Sequence, residues 1–472
     1  MIKRVVMLES DSARMIKTHG ADILLLKHGS SSDKNHSIDL TSIKHMDYID
    51  AIERLRSWGP ILSRNLARGD QYELILRDLA FQVIGWLGTI RERNCEFAIF
   101  ETAATHHLEN VCFEVACDMA KIGKVFLAHS PFTYRLIPII QHGDYRNRRR
   151  IKSKLNNWQL QINEINVSST HWNQRVKINQ KRENSFLHAF GLITFKSGVK
   201  FLAKLRSVMM LKETKRQELN INDSRFSFLV SLSLVCRQYL ALRYLRSIEN
   251  EIGSTKLEKA EIGVSESIYI ASHFQPESSS FPIGGKFGNQ VDLIFEIRRA
   301  FPSLKIFYKE HPHIDRYSVR GALSAVATAR SRRYYKNLQS LGVIFLSSRI
   351  SATDFNELTK NSLVVTISGR VAIERSLNGL RTIVVGEPWY KGMPGTINLE
   401  DFLSVSPNVP ATQFESSGVQ TWIMETHNGR TISPGPWSIF QNVFSDEGFK
   451  DTDYYVDMAN LIDQLKSASL EY

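Results

Sequence analysis

Lys309 and His311 stand two residues apart in Phe307-Tyr308-Lys309-Glu310-His311-Pro312, at the end of an apolar run that reads as a strand, Lys305 to Tyr308. Residues at i and i+2 of a strand share one side. An ammonium and an imidazole placed that way give one ligand two donors, with Glu310 turned to the opposite side and expected to be structural. The proline after His311 disfavours helical backbone at that histidine, so it stays extended at the strand exit. A second segment, Thr366-Ile367-Ser368-Gly369-Arg370-Val371-Ala372-Ile373-Glu374, reads as a buried strand, Leu363 to Ile367, turning into a helix. Ser368 suits the N-cap of that helix, and Gly369 allows close backbone approach. The first N–H groups of the helix, with Arg370, then form an anion site of the kind that takes phosphate. Glu374 is placed to pair with Arg370 at i, i+4. Two such exits suggest a pocket for a nucleotide or nucleotide-sugar.

The elements that must hold these residues alternate in type. Apolar runs at Arg4 to Leu8, Ile23 to Lys27, Glu96 to Phe100 and Val125 to Ala128 are separated by helical patterns at Gln71 to Arg91 and Leu108 to Ile122. Alternating strands and helices imply a parallel sheet with right-handed crossovers. A second unit restarts at Ser267 to Ser272, continues through an amphipathic helix at Gln290 to Ala300, and adds strands at Lys305 to Tyr308, Val343 to Leu346, Leu363 to Ile367 and Thr382 to Val385. Between the units lies basic, helix-prone sequence that includes Phe226 to Cys236, and a helix is expected over Tyr454 to Leu470. The organisation is therefore an N-terminal α/β domain over 1–143, a basic helical insertion over 144–263, a C-terminal α/β domain over 264–440 and a helical tail over 441–472. Two Rossmann-like domains facing a cleft is the fold class expected.

At 472 residues and 43% hydrophobic the chain can build two or three ordinary cores. Its N-terminal apolar run is far short of the ~20 residues a membrane helix needs, so a cytoplasmic protein is expected. The cysteines Cys95, Cys112, Cys117 and Cys236 include no C-x-x-C pair, which points to buried thiols rather than zinc or disulfides. The net charge of +12 is concentrated in part in Arg146, Arg148, Arg149, Arg150, Lys152 and Lys154. That run is either a solvated face or a peripheral contact with an anionic membrane or glycan. No nucleic-acid module is recognisable, so nucleic acid is not an expected partner.

Taken in order, Gln275-Pro276-Glu277-Ser278, Lys309-Glu310-His311-Pro312, Ser368-Gly369 with Glu374, Gly379, and Thr382-Ile383-Val384-Val385-Gly386-Glu387-Pro388-Trp389-Tyr390 resemble the capsule polysaccharide biosynthesis glycosyltransferases, which include Kdo transferases. The resemblance covers roughly residues 265–395 and implies the GT-B fold, with the tail helix packed back on the first domain. It implies a nucleotide-sugar donor, plausibly a CMP-linked acidic sugar such as Kdo, no other cofactor, and a glycan or glycolipid acceptor at the cytoplasmic face of the inner membrane. Donor binding is then carried by Gln275, Glu277, Lys309, His311, Ser368, Gly369, Arg370, Glu374 and Tyr390. In the GT-B enzymes that this region resembles, a carboxylate near the position of Glu374 often bonds sugar or ribose hydroxyls. Trp389 and Tyr390 either stack a base or sugar or close the core. Departures are Arg370, where members usually carry a small residue, and Arg375, where alanine is usual.

The glycines of Gly284-Gly285-Lys286-Phe287-Gly288 lack the Gly-Lys-Ser/Thr of a P-loop and are expected to lie against a ligand or the facing domain. No metal is expected, and cations at the strand exits would stabilise the leaving phosphate. Sugar transfer also needs a base or nucleophile from the acceptor side. Glu101, directly after the strand ending at Phe100, is the first choice, with His106 and His107 close behind, and His129 is the second. Alternatives are a UDP-sugar epimerase, a polyol-phosphate transferase, or a non-catalytic nucleotide- or glycan-binding component of a polysaccharide assembly complex.

Overall fold

The computed structural model describes residues 4–8, 11–18, 23–26, 44–59, 62, 72–101, 108–133, 135–142, 147–160, 165, 237, 239–249, 267–273, 280–281, 283–311, 314, 330–348, 350–404, 414–433 and 451–467. The protein is an α/β structure of two six-stranded, mostly parallel sheets. The first runs β2 (Ile23–Leu26), β1 (Arg4–Leu8), β3 (Cys95–Phe100), β4 (Gly123–His129), β5 (Leu136–His142), β6 (Arg148–Arg150). The second runs β12 (Thr396–Asn398), β11 (Thr382–Val384), β10 (Leu363–Thr366), β7 (Ser267–Ala271), β8 (Lys305–Lys309), β9 (Val343–Leu346).

Alternation along the first sheet sorts its side chains into two cores. Val6, Ala98, Phe100 and Phe126 join the helices His45–Ser57, Tyr72–Glu92 and Leu108–Ala120 on one face. Val5, Met7, Phe97, Ile99, Val125 and Leu127 pack on the other against the tail helix Asp451–Ser467. That helix presents Tyr454, Met458, Leu461, Ile462 and Leu465 to the sheet, an i, i+4, i+7, i+8, i+11 stripe. The tail thus crosses back to the first sheet, as the resemblance implies.

The expected all-parallel arrangement fails at β5 and β6. β5 is antiparallel to β4, and β6 to β5. The segment 130–135 joining β4 to β5 is too short for a parallel crossover, which needs a dozen residues or more, and so dictates a hairpin. β6 pairs only with Ile139 to Gln141 and stops short of Pro138, which has no N–H for a ladder. The start of the expected basic helical insertion is therefore an edge strand, and among the described residues of the insertion a helix covers 239–249. Phe226 to Cys236 lies outside the described residues.

The second sheet has the strand order in which the chain starts centrally at β7, builds outward to β9, then jumps back beside β7 with β10. The switch point between β7 and β10 is where the carboxyl ends of neighbouring strands splay and ligands bind in folds of this order. The two sheets are tied together. Leu136 and Ile432 exchange backbone hydrogen bonds of 2.8 Å. Buried Arg135 donates to Thr431 Oγ1 at 2.8 Å and to Ser433 Oγ and Asp457 Oδ2 at 3.0 Å. Trp389, beyond β11, packs on Ala128, Ile137 and Ile139 of the first sheet. Among the described residues no helix is long and apolar enough to cross a membrane.

Candidate functional site

The exits of β7, β8 and β10 are adjacent, and each delivers a polar segment to the same edge. His273 follows β7, Lys309 to His311 end β8, and Ser368 and Gly369 follow β10. Pairing aligns Ala271 with Lys309 and Val365 with Ile270, so segments remote in sequence meet at one level.

Glu310 organises the edge. Fully buried, its carboxylate accepts from Ser272 Oγ (2.6 Å), the His311 N–H (2.8 Å), Arg330 Nε (2.9 Å), Tyr308 OH (2.9 Å) and Tyr335 OH (3.2 Å). Arg330 also donates from Nη2 to the His273 carbonyl at 2.7 Å and lies over the Tyr334 ring. A buried carboxylate is tolerable only when its lone pairs and charge are met, and here both are. The structural role expected of Glu310 is what is seen, and it locks the β7 and β8 exits together.

Lys309 turns to the other side, half-buried, its Nζ 5.7 Å from the centre of the Phe355 ring. Burial pushes its pKa down, opposed by Glu310 and Glu249. His311 is half-buried, with its backbone fixed by Glu310. His273 was not anticipated. It is buried, and its Nε2 accepts from the Ser368 N–H at 3.0 Å. Nε2 therefore carries the lone pair. Burial, reinforced by Arg330, pushes its pKa down to about 4. The available signal was positional, a histidine directly past β7.

Several expected roles change. Ser368 is not the N-cap, because the helix Val371–Leu377 begins after Arg370, whose side chain makes no cap bond. The Ser368 N–H is held by His273, and so is not a phosphate donor in this arrangement. Gly369 is required for a close approach, but to protein: a Cβ there would lie 2.4 Å from Thr366 Oγ1. Glu374 pairs with Arg370 at 3.0 Å, the i, i+4 alternative, and burial raises its pKa against that pairing. Tyr390 is a core residue, fully buried, donating from its hydroxyl to the Gly369 carbonyl at 2.9 Å, and so cannot stack a base. Arg375, the departure from the family pattern, is a buried brace donating to Thr359 Oγ1 at 2.6 Å and to the Ser362 carbonyl at 2.9 Å. Gln275 and Glu277 lie outside the described residues.

The glycine-rich loop also approaches protein. A Cβ on Gly386, at φ +76°, would strike the Ile283 carbonyl, and Phe281 reaches Trp58 of the first domain edge-on at 5.5 Å.

On the first sheet, Glu101 follows β3 beside that sheet's own switch point, between β1 and β3. It is half-buried and accepts from the tail residue Tyr454 OH at 2.9 Å. His129 ends β4 and is exposed. His106 and His107 lie outside the described residues. The sequence does contain one Asp-x-Asp tripeptide, Asp451-Thr452-Asp453, and it opens the tail helix. Among the described residues no group of His, Cys, Asp or Glu could hold a metal ion.

A second feature was only half legible. A cavity of about 460 Å³ lies between the sheets, lined by Arg148, Arg149, Arg150, Lys152, Lys391 and Arg430 with Glu387, Glu425, Trp389 and Trp422. The basic run is thus no simple solvated face. Arg150 Nη1 donates to the Trp389 carbonyl at 2.7 Å, and its guanidinium lies 4.3 Å from the Trp422 ring centre.

No protein-family model matches the chain, and no curated protein matches it. Among solved structures it is similar to a Thermosulfurimonas dismutans protein described as KpsC, beta Kdo 2,7 transferase. The likeness has 10% identity, covers 94% of this chain and 99% of that one, and has a TM-score of 0.31. So distant a likeness carries no argument about the site.

Proposed function

We propose that the protein is a glycosyltransferase of surface-polysaccharide synthesis, taking a sugar from a nucleotide donor, such as a CMP-linked acidic sugar, and passing it to a glycan or glycolipid. One observation supports this above the rest. Two of the segments carrying the family resemblance, Lys309 to His311 and Ser368-Gly369, lie far apart in the chain and meet at the switch point of a Rossmann-order sheet. That crevice is where such sheets bind nucleotides.

In this reading Lys309 and His311 face the donor's phosphate as hydrogen-bond donors, and the Lys309 ammonium stabilises the leaving nucleotide without a metal. His273 stays neutral and orients the Ser368 backbone. Glu101 is the proposed acceptor-side carboxylate. Tyr454 holds it in place by donating a 2.9 Å hydrogen bond. His129 is the second candidate. Cytoplasmic placement, with peripheral contact to an anionic membrane, completes the proposal.

The test is a thermal-shift screen with CMP, CDP, UDP and GDP, followed by donor hydrolysis and transfer assays. Stabilisation by one nucleotide, with turnover of the matching sugar donor, is the expected result. Nucleotide binding without turnover of any donor would leave a binding module, and no binding at all would remove the proposal.

A further inference from the structure

Arg148 is unusual among the charged groups of the described residues. Its Nε donates to Gln141 Oε1 at 2.8 Å and its guanidinium lies 4.6 Å from the Phe126 ring centre. Its Nη1 and Nη2 are shielded from solvent with no hydrogen-bond partner among the described residues. Burial pushes its pKa down, and Glu114 and Glu387 are the carboxylates that oppose this. Leaving two guanidinium nitrogens buried and unpaired is costly, and an arginine fork matches a carboxylate or phosphate in two parallel bonds.

The cavity that Arg148 lines is built rather than incidental. Arg150 clamps one wall by donating across the domains to the Trp389 and Lys391 carbonyls. Lys391 is in turn ion-paired with Glu387. Trp389 contributes apolar wall beside these charges. At about 460 Å³ the space falls within the size range of small-molecule pockets and exceeds what an inorganic ion would fill.

We propose that this cavity is an oxyanion site for a monosaccharide-sized ligand bearing a carboxylate or a phosphate, with the Arg148 fork as its main partner. The site is separate from the β7/β10 switch point and goes beyond the glycosyltransferase reading. A ligand there touches β6 of the first sheet and the segment after β11 of the second, so its binding also braces the two sheets together.

The experiment is calorimetric titration of the full chain with glucuronate and with glucose 6-phosphate, using glucose as the neutral analogue. At least one anionic probe should bind at one site per chain while glucose does not, and the stronger probe identifies carboxylate or phosphate. Arg148→Met should weaken that probe at least tenfold, whereas Lys305→Ala, an exposed cation at the start of β8, should not. Arg148→Lys keeps the charge without the fork and should fall between the two. It carries the test if Arg148→Met does not fold. Nucleotide affinity should be unchanged in these variants, so this site and the switch-point site can fail separately. Equal binding of glucose, no binding of either anion, or wild-type affinity in the Arg148 variants would overturn the proposal.

Discussion

Replacing Arg330 by methionine keeps roughly the length of the side chain but removes every charge-assisted bond it makes. The change takes from Glu310 the Arg330 guanidinium, its ion-pair partner at 2.9 Å, and from the His273 carbonyl a 2.7 Å donor. Both partners in the ion pair are essentially solvent-free, with side-chain exposures of 1% and 0%. Breaking such a pair from one side costs about 3–5 kcal/mol, because an uncompensated charge stays buried. With a urea slope of about 3 kcal/mol per molar, the midpoint should fall by about 1–1.7 M. Chemical denaturation followed by far-UV circular dichroism measures it. Replacing both partners with apolar residues of similar size, Arg330→Met with Glu310→Leu, should cost less than the sum of the two single substitutions, because no unpaired charge remains. A single-variant loss below about 1 kcal/mol would refute the reasoning, as would a double variant no better than the sum of its parts.

Other outcomes follow from the same contacts. His273 and His427 are each held neutral, with burial pushing both down to about 4, against about 6.5 in the unfolded chain. His427 accepts at Nε2 from Ser130 Oγ at 2.8 Å, while its Nδ1 lies 2.8 Å from the Ile423 carbonyl, leaving no place for a second proton. The unfolded chain therefore binds more protons between these values, and stability falls as pH drops from about 6.5 to about 4, by about 3 kcal/mol per histidine. Urea midpoints across that window check this, and His427→Gln should flatten the profile. Tyr390→Phe removes the hydroxyl that meets the Gly369 carbonyl and should cost about 1 kcal/mol in the same assay; no loss at all would mean that the carbonyl finds another donor. Glu101→Gln should cut turnover by ~10²-fold with nucleotide affinity retained, and transfer at the wild-type rate would move the base to His129.

The central strands were legible because their burial is written in runs such as Leu363 to Thr366, and the helix Gln290–Ala300 because its apolar spacing is regular. β6 was not legible. Arg148-Arg149-Arg150 contains no apolar residue, and its strand state comes from pairing with β5 and from guanidinium groups laid on Phe126 and Trp422. β5 was hidden by Pro138, and its direction is set by the short link from β4. The placement of Lys309 and His311 at the exit of β8 was readable from period and position. The Ser368 N-cap was not, since local propensity gave way to a tertiary bond from His273. The switch point itself depends on β7 pairing with β10, a long-range contact that no local pattern reports.

The most direct test of the account is calorimetric titration of CMP, and of whichever nucleotide the thermal screen selects, into the wild-type protein and into His311→Ala. The account predicts one site per chain, at least tenfold weaker binding in the variant, and unchanged thermal unfolding of the ligand-free variant. Equal nucleotide affinity in the two proteins, or no affinity in the wild type for any of the nucleotides, would contradict a nucleotide site at the exits of β7, β8 and β10.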